Sequence, residues 1–121
     1  MIKVLVVEDI PLNMELILDI FRAMNFIVHE ASNGEEAVRM TQKEPYDLII
    51  MDIEMPIMEG ITATKIIKTN PAYVNIPIVV LTAYAMKGDR EKFLSQGFDD
   101  YIAKPIDVPS FMKKMEKYRK E

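Results

Sequence analysis

Short apolar runs alternate with amphipathic segments along the whole chain. The runs are short, and the first is β-branched and continuous, which is typical of a strand that is buried on both faces of a parallel sheet. They predict strands over residues 2–7, 27–31, 48–51, 76–81 and 101–103, of which the second is the weakest. Pro77 fits only the start of its strand or a sheet edge, because proline has no N–H to donate.

Apolar residues recur at helical spacing between these runs. The first predicted helix has Pro11 near its first turn, where the missing N–H costs little. The second helix begins after the turn at Gly34 and ends before Pro45. The third begins at Gly60, and the Asn-Pro dipeptide at residues 70–71 terminates it.

The fourth helix is predicted from the residues that flank it. Asp89 is its predicted N-cap, the helix extends to Gln96, and Gly97 is expected to take the left-handed conformation that closes it. A fifth helix is predicted over residues 108–118. The chain therefore alternates strand and helix throughout.

Alternating strands and helices predict a parallel sheet with right-handed crossovers. The count is (βα)5, so we expect an α/β protein with a doubly wound, flavodoxin-like fold and helices on both faces of the sheet. One of the two common strand orders, 2-1-3-4-5, has its switch point between the first and third strands. We expect a single domain over residues 1–121, because no repeat or linker interrupts the pattern.

Polar side chains follow four of the predicted strands. Glu8 and Asp9 follow the first strand and Asp52 the third, while Thr82 and Lys104 follow the fourth and fifth. The carboxyl ends of parallel strands meet at one edge, where open α/β sheets bind their ligands. Three carboxylates, a hydroxyl and an ammonium group are therefore predicted to share one crevice at the switch point.

Composition and charge exclude several classes of function. The 121 residues include no cysteine, which excludes a disulfide scaffold and thiolate catalysis. The formal net charge of -4 argues against nucleic acid as a main partner. Acidic residues or prolines interrupt every apolar run before it is long enough to cross a bilayer, so we expect no membrane segment and a cytoplasmic location.

The predicted crevice suits phosphoryl transfer at a metal ion. Three close carboxylates repel one another unless a cation intervenes, and an open site with oxygen ligands suits Mg²⁺, with Mn²⁺ as an alternative. Aspartate carboxylates act as nucleophiles towards phosphorus, and Asp52 is the best placed because it ends the central strand. Lys104 would neutralise charge on the transferred group, and Thr82 would donate a hydrogen bond to it.

Four segments carry these residues: LVVED at 5–9, MDIEMPIMEG at 51–60, LTAYAMKGD at 81–89 and YIAKP at 101–105. In this order they closely resemble the receiver domains of bacterial-type two-component response regulators, the CheY-like family, over essentially the whole chain. Asn13 and the segment TAYAMKGD look especially similar to DivK-type single-domain regulators and to the receivers of hybrid kinases. The resemblance implies that Gly60, at the end of the second segment, has a structural role.

The resemblance implies a role for each matching residue of the crevice. Asp52 would be phosphorylated from a partner's phosphohistidine. Glu8, Asp9 and Asp52 would bind Mg²⁺ together with the backbone carbonyl of Glu54. Lys104 would pair with Asp52 and then with the phosphoryl group. Glu8 is a departure, since many members carry aspartate there, and the longer side chain should still coordinate the metal.

The resemblance also implies residues that switch and tune the response. Thr82 and Tyr101 would be the switch pair, in which Thr82 moves towards the phosphate and the Tyr101 ring turns inward. Glu54 and Tyr84 would control the access of water to the phosphorylated aspartate and so its lifetime. The peptide bond before Pro105 is expected to be cis.

The implied function is a phosphorylation-activated signalling switch that modifies only itself and is not a turnover enzyme. The phosphodonor would be a sensor histidine kinase or a histidine phosphotransfer protein. Output would pass by protein–protein contact through the face formed by the fourth helix, fifth strand and fifth helix, without nucleic acid or membrane. We expect a monomer or a phosphorylation-dependent dimer.

Two other hypotheses remain open at this point. A small Mg²⁺-dependent phosphohydrolase of the haloacid-dehalogenase type also uses aspartate, threonine and lysine, and Asp52 and Glu54 mimic its acidic pair. In that class, however, the nucleophile follows the first strand, and this chain has no room for a substrate-covering cap. The other possibility is a receiver excised from a longer hybrid kinase or regulator.

Overall fold

Five parallel strands form the centre of the molecule in this computed structural model, which describes residues 2–55, 58–83 and 89–119. The strands lie side by side in the order β2-β1-β3-β4-β5. Their bounds are β1 Lys3–Val7, β2 Ile27–Ala31, β3 Leu48–Asp52, β4 Ile78–Thr82 and β5 Asp100–Ala103. The predicted fold class and strand order are confirmed.

Each strand is followed by a helix. The helices are α1 Pro11–Ala23, α2 Gly34–Lys43, α3 Gly60–Lys68, α4 Asp89–Ser95 and α5 Val108–Glu116. The Asn33 side chain caps α2 by accepting the Glu36 N–H, and Asp107 caps α5 by accepting the Ser110 N–H. Within the described residues, no helix combines the length and apolar character needed to cross a membrane.

Several predicted boundaries were wrong by one or two residues. Strand β4 begins at Ile78, because Pro77 accepts the Ile49 N–H through its carbonyl but has no N–H to extend the ladder. Asp89 is the first residue of α4, not its N-cap; an acidic residue in the first turn is favoured by the helix dipole. The same helix ends at Ser95, one residue before Gln96.

Two further differences concern the end of α5 and a short helix after α3. The α5 helix ends at Glu116 because Tyr118 and Arg119 donate to carbonyls three residues earlier, which tightens the last turn. The sequence analysis missed a short 3-10 helix, Pro71–Tyr73, which is capped by the Asn70 side chain. Gly97 does take a positive φ, of 100°, after α4, as predicted.

The sheet separates two hydrophobic cores, because successive side chains of a strand point to opposite faces. On one face, α1 and α5 bury Phe21 and Phe111, whose rings meet edge-to-face with centroids 5.4 Å apart. On the other face, α2, α3 and α4 contribute Ala37, Ile67 and Phe93 to the second core. Burial on both faces explains why β1, β3 and β4 are apolar without alternation, whereas the edge strand β2 is more exposed and includes His29 and Glu30.

Gly60 allows α3 to start in direct contact with the end of β3. A Cβ atom at this position would lie 2.2 Å from the backbone oxygen of Asp52, which is too close for any side chain. The start of α3 is therefore packed against the backbone of the strand that carries Asp52.

A second contact ties α5 to β5. The buried Asp100 carboxylate accepts the Tyr101 N–H at 2.8 Å and pairs with Lys114 at 3.3 Å and Lys117 at 3.2 Å. Burial alone would raise the pKa of Asp100, but the Tyr101 N–H and the two lysines outweigh that effect and hold the pKa below its usual value. The charged form of Asp100 is thus the one that the fold stabilises.

We predict that Gly60→Ala destabilises the protein by about 1–3 kcal/mol, because the methyl group forces α3 away from β3. Urea unfolding at neutral pH measures this free energy. Thr62→Ala, at an exposed position of the same helix, is the matched control and should change it by less than about 0.5 kcal/mol. Equal stability of the Gly60→Ala variant and the wild type would contradict the packing described above.

We also predict that Asp100→Asn lowers the free energy of unfolding at pH 7 by about 1–2 kcal/mol, a value reduced by the solvent exposure of both lysines. A depressed pKa contributes stability above the unfolded value of 3.8, and this contribution is lost as the pH falls through the folded-state pKa. The deficit of the variant should therefore shrink between pH 5 and pH 3 (about two units spanning that value). Asp19→Asn, which alters an exposed pair with Arg22, is the control.

A deficit of the same size at pH 3 and pH 7 would show that the charge of Asp100 is not what stabilises the contact.

Candidate functional site

The carboxyl ends of four strands meet at one edge of the sheet. Asp52 is the last residue of β3 and Thr82 the last of β4, while Glu8 and Asp9 directly follow β1 and Lys104 directly follows β5. Asp52 and Thr82 are fully buried, and Glu8 is almost so. All five residues predicted from the sequence are therefore found at this edge, on both sides of the switch point between β1 and β3.

Three carboxylates converge within the edge. Glu8, Asp9 and Asp52 each offer one oxygen atom, and these atoms all lie within 4.8 Å of one another. Lys104 extends its ammonium group into the same cluster, with Nζ 2.9 Å from Asp52 Oδ2 and 3.3 Å from Glu8 Oε1. The four residues make up a single electrostatic unit.

The charge of this unit is not balanced by its own residues. Burial, followed by the neighbouring Asp52 carboxylate, raises the pKa of Glu8 to about 8, although Lys104 opposes the shift. Burial lowers the pKa of Lys104, but Asp52 and Glu8 outweigh it and hold the pKa above its usual value. Protonated Glu8 therefore stabilises the fold below its ordinary pKa of 4.5, and this stability is lost as the pH rises through about 8.

The donor atoms of the cluster fit a hard divalent cation. Oε2 of Glu8 and Oδ1 of Asp9 are buried and lack a hydrogen-bond partner in the described part of the chain, while Oε1 of Glu8 is paired with the Lys104 ammonium at 3.3 Å. Unpartnered buried carboxylate oxygens are costly, and a cation is the partner that satisfies them. Ligands that are all oxygen suit Mg²⁺ better than zinc, which prefers nitrogen and sulfur.

Glu54 contacts the cluster in a way that the sequence did not predict. Its N–H donates to Asp52 Oδ1 at 2.8 Å, and its side-chain Oε1 accepts the Ala83 N–H at 2.9 Å. The carboxylate therefore bridges the ends of β3 and β4. No spacing along the chain signals this contact, because the two residues are 29 positions apart and meet only through the sheet.

Tyr101 lies on β5, half-buried, beside the cluster of charged residues that ties α5 to the sheet. Its ring centroid is 6.0 Å from that of Phe93 and 4.6 Å from the ammonium group of Lys114, which also donates to the Tyr101 carbonyl. The peptide bond between Lys104 and Pro105 is cis. Tyr84, the second predicted tuning residue, lies outside the described residues.

A groove of about 200 Å³ opens beside the acidic pair. The residues that line it include Glu8 and Asp9 together with Glu30, Ser32 and Glu36. A cation that reached Glu8 and Asp9 by this route would pass Glu30 and Glu36, whose negative charge favours its entry.

Comparison with known proteins agrees with this geometry. The family description "response regulator receiver domain" matches residues 4–116. The polar-differentiation response regulator DivK of Brucella anthropi is 39% identical over 116 residues, which cover 96% of this chain and 94% of DivK. The sequence resemblance to DivK-type regulators is thus confirmed.

Solved structures agree as well. The co-crystal structure of the Saccharomyces cerevisiae histidine phosphotransfer protein Ypd1 with the receiver domain of Ssk1 contains a chain of 31% identity and TM-score 0.86, covering 97% of this chain and 88% of that one. Response regulator TrrA from Thermotoga maritima, in complex with Mg²⁺-BeF, has 32% identity and TM-score 0.84, covering 97% and 98%.

The family match spans nearly the whole chain, and DivK is of similar length. Both findings agree with the strand order β2-β1-β3-β4-β5 and with the acidic cluster at the switch point. Receiver domains of this kind are signalling switches rather than turnover enzymes. This chain belongs to the response regulator receiver domains of two-component signalling systems.

Proposed function

We propose that Asp52 is the phosphoacceptor of this receiver. A carboxylate oxygen of Asp52 attacks the phosphorus of a donor's phosphohistidine, the P–N bond breaks, and its electron pair stays on the imidazole nitrogen. The observation that supports this role is the buried Asp52 carboxylate held 2.9 Å from the Lys104 ammonium, with two more carboxylates within 4.8 Å. Neutralised in this way, a carboxylate can approach an anionic phosphoryl group.

Lys104 and Thr82 are the residues that would stabilise the transferred group. Lys104 pairs with Asp52 before transfer and with a phosphoryl oxygen after it. The Thr82 hydroxyl at the end of the neighbouring strand then donates to another oxygen, and Tyr101 turns inward to complete the switch. The contact of Tyr101 with Phe93 and Lys114 supports this role, because it links β5 to both flanking helices.

Glu8, Asp9 and Asp52, together with the backbone carbonyl of Glu54, would hold the metal. When bound, Mg²⁺, or Mn²⁺ in its place, supplies positive charge that stabilises the additional negative charge of phosphoryl transfer. The buried oxygens Glu8 Oε2 and Asp9 Oδ1, which lack a hydrogen-bond partner among the described residues, support this assignment.

The donor would be a sensor histidine kinase or a histidine phosphotransfer protein, as the pairing of Ypd1 with the receiver of Ssk1 suggests. We propose that the chain acts as a single cytoplasmic domain over residues 1–121, as a monomer or a phosphorylation-dependent dimer, and that it catalyses only its own modification. Its output passes to a protein target through the face of α4, β5 and α5. Glu54 and Tyr84 set the lifetime of the phosphorylated state.

We predict that incubation with Mg²⁺ and acetyl phosphate adds one phosphoryl group to Asp52, with acetate as the leaving group. Intact-mass and peptide mass spectrometry measure the modification and its position. Asp52→Asn should abolish labelling, whereas Asp19→Asn, an exposed acid of α1, should leave it unchanged.

Normal labelling of the Asp52→Asn protein would refute the assignment of the phosphoacceptor. Continuous release of phosphate from a generic phosphomonoester would instead favour the phosphohydrolase hypothesis.

We further predict that Mg²⁺ stabilises the folded protein by about 2.7 kcal/mol at a concentration 100 times its dissociation constant. Chelation with EDTA should abolish both this gain and the labelling of Asp52. Asp9→Asn should lose most of the gain because it removes a charged ligand, while Glu15→Gln, an exposed acid nearby, should keep it. Urea unfolding with and without Mg²⁺ measures the difference, and an undiminished gain in Asp9→Asn would exclude Asp9 as a ligand.

A further inference from the structure

The Glu54 carboxylate occupies a backbone donor at the rim of the site. Its Oε1 accepts the Ala83 N–H at 2.9 Å, directly after Thr82, and its own N–H donates to Asp52 Oδ1 at 2.8 Å. One residue thus contacts both the proposed phosphoacceptor and the backbone at the end of β4. Any anion attached to Asp52 would lie close to this second, negatively charged group.

The hydrogen bond to Ala83 satisfies only one of the two carboxylate oxygens of Glu54. Oε2 of the same carboxylate is buried and has no hydrogen-bond partner among the described residues. A buried carboxylate oxygen without a partner carries an uncompensated desolvation cost, although Glu54 as a whole is half-exposed. A stronger acceptor can therefore replace Glu54 as the hydrogen-bond partner of the Ala83 N–H.

A phosphoryl group on Asp52 would be such an acceptor. It carries about -1.5 to -2 charges and three strong acceptor oxygens, which can accept a backbone N–H in addition to their contacts with Lys104, Thr82 and the metal. Lys104 is moreover already shared between Asp52 and Glu8, at 2.9 and 3.3 Å. The Ala83 N–H is the backbone donor that directly follows Thr82 at this edge, and Glu54 occupies it.

We propose that Glu54 competes with the phosphoryl group for the Ala83 N–H. Glu54 accepts this hydrogen bond while Asp52 is unmodified and releases the donor when Asp52 is phosphorylated. The competition therefore raises the free energy of the phosphorylated state relative to that of the unmodified state. This inference rests on the proposed function of Asp52. It differs from a control of water access, because it acts on the affinity for the phosphoryl group itself.

Beryllofluoride with Mg²⁺ is a suitable probe, because it stands for a phosphoryl group and forms a complex with the related TrrA. The ¹⁵N-labelled full chain is titrated with beryllofluoride at saturating Mg²⁺, and NMR reports both the affinity and the Ala83 amide resonance. The variants are Glu54→Ala, which removes the carboxylate, Glu54→Gln, which removes only its charge, and Glu54→Asp, whose shorter arm keeps the charge but does not reach Ala83. Glu59→Gln, an exposed acid of the same loop, is the control.

We expect Glu54→Ala to bind beryllofluoride about tenfold more tightly than the wild type, in keeping with the loss of a competing charge-assisted bond. Glu54→Asp and Glu54→Gln should show smaller increases, and Glu59→Gln should remain within about twofold of the wild type. Without ligand, the Ala83 amide proton should move upfield in Glu54→Ala. Beryllofluoride should then bring it to the same downfield position in variant and wild type.

Three results would overturn the inference. Affinities of Glu54→Ala and Glu54→Gln no higher than that of the wild type would show that Glu54 does not compete. Tighter binding by these two variants with an unchanged Glu54→Asp would show general charge repulsion instead of competition for the donor. An Ala83 resonance that does not respond to Glu54→Ala would show that the bond is absent in solution.

The proposed function fails separately from this inference. If the wild type neither binds beryllofluoride nor becomes labelled at Asp52, both proposals are wrong. If the wild type does both and the Glu54 variants bind no more tightly, only the competition by Glu54 is refuted. Should Glu54→Ala fail to fold, the more conservative Glu54→Gln and Glu54→Asp variants carry the same comparison.

Discussion

The sheet edge depends on one buried ion pair, between Asp52 and Lys104. Asp52 is fully buried at the end of β3, and a buried carboxylate without a partner is strongly destabilising. Lys104 extends from the end of β5 and places its ammonium group 2.9 Å from Asp52. Because β4 lies between these strands, the pair connects the two sides of the site across the strand that carries Thr82.

The same pair leaves the crevice with too little positive charge. Three carboxylates converge there, and Lys104 is the ammonium group that pairs with two of them. Burial, followed by the neighbouring Asp52 carboxylate, raises the pKa of Glu8 to about 8, and Glu8 Oε2 and Asp9 Oδ1 remain buried without a hydrogen-bond partner among the described residues. A divalent cation would compensate this excess of negative charge. A phosphoryl group would add to it, and the neighbouring anions, including Glu54, would have to rearrange.

Much of the fold followed from the alternation of apolar runs and helical spacing, because burial on both faces makes the central strands β1, β3 and β4 almost entirely apolar. The ends of elements were less predictable. Tyr118 packs against the core on one face of the sheet, so the apolar pattern extends beyond Glu116, where α5 ends. Asn70 was interpreted as a helix terminator, whereas its side chain also caps the 3-10 helix that follows.

Which side chains belong to the site follows from the order of residues along the chain, because the carboxyl ends of parallel strands must lie at a common edge whatever the details of packing. Which of them touch follows from the folded arrangement alone. Lys104 reaches both Asp52 and Glu8, and Glu54 turns to the Ala83 N–H rather than to solvent. These contacts depend on the twist of the sheet and on side-chain rotamers, and distances of a few ångströms between remote residues are not encoded in any spacing along the chain.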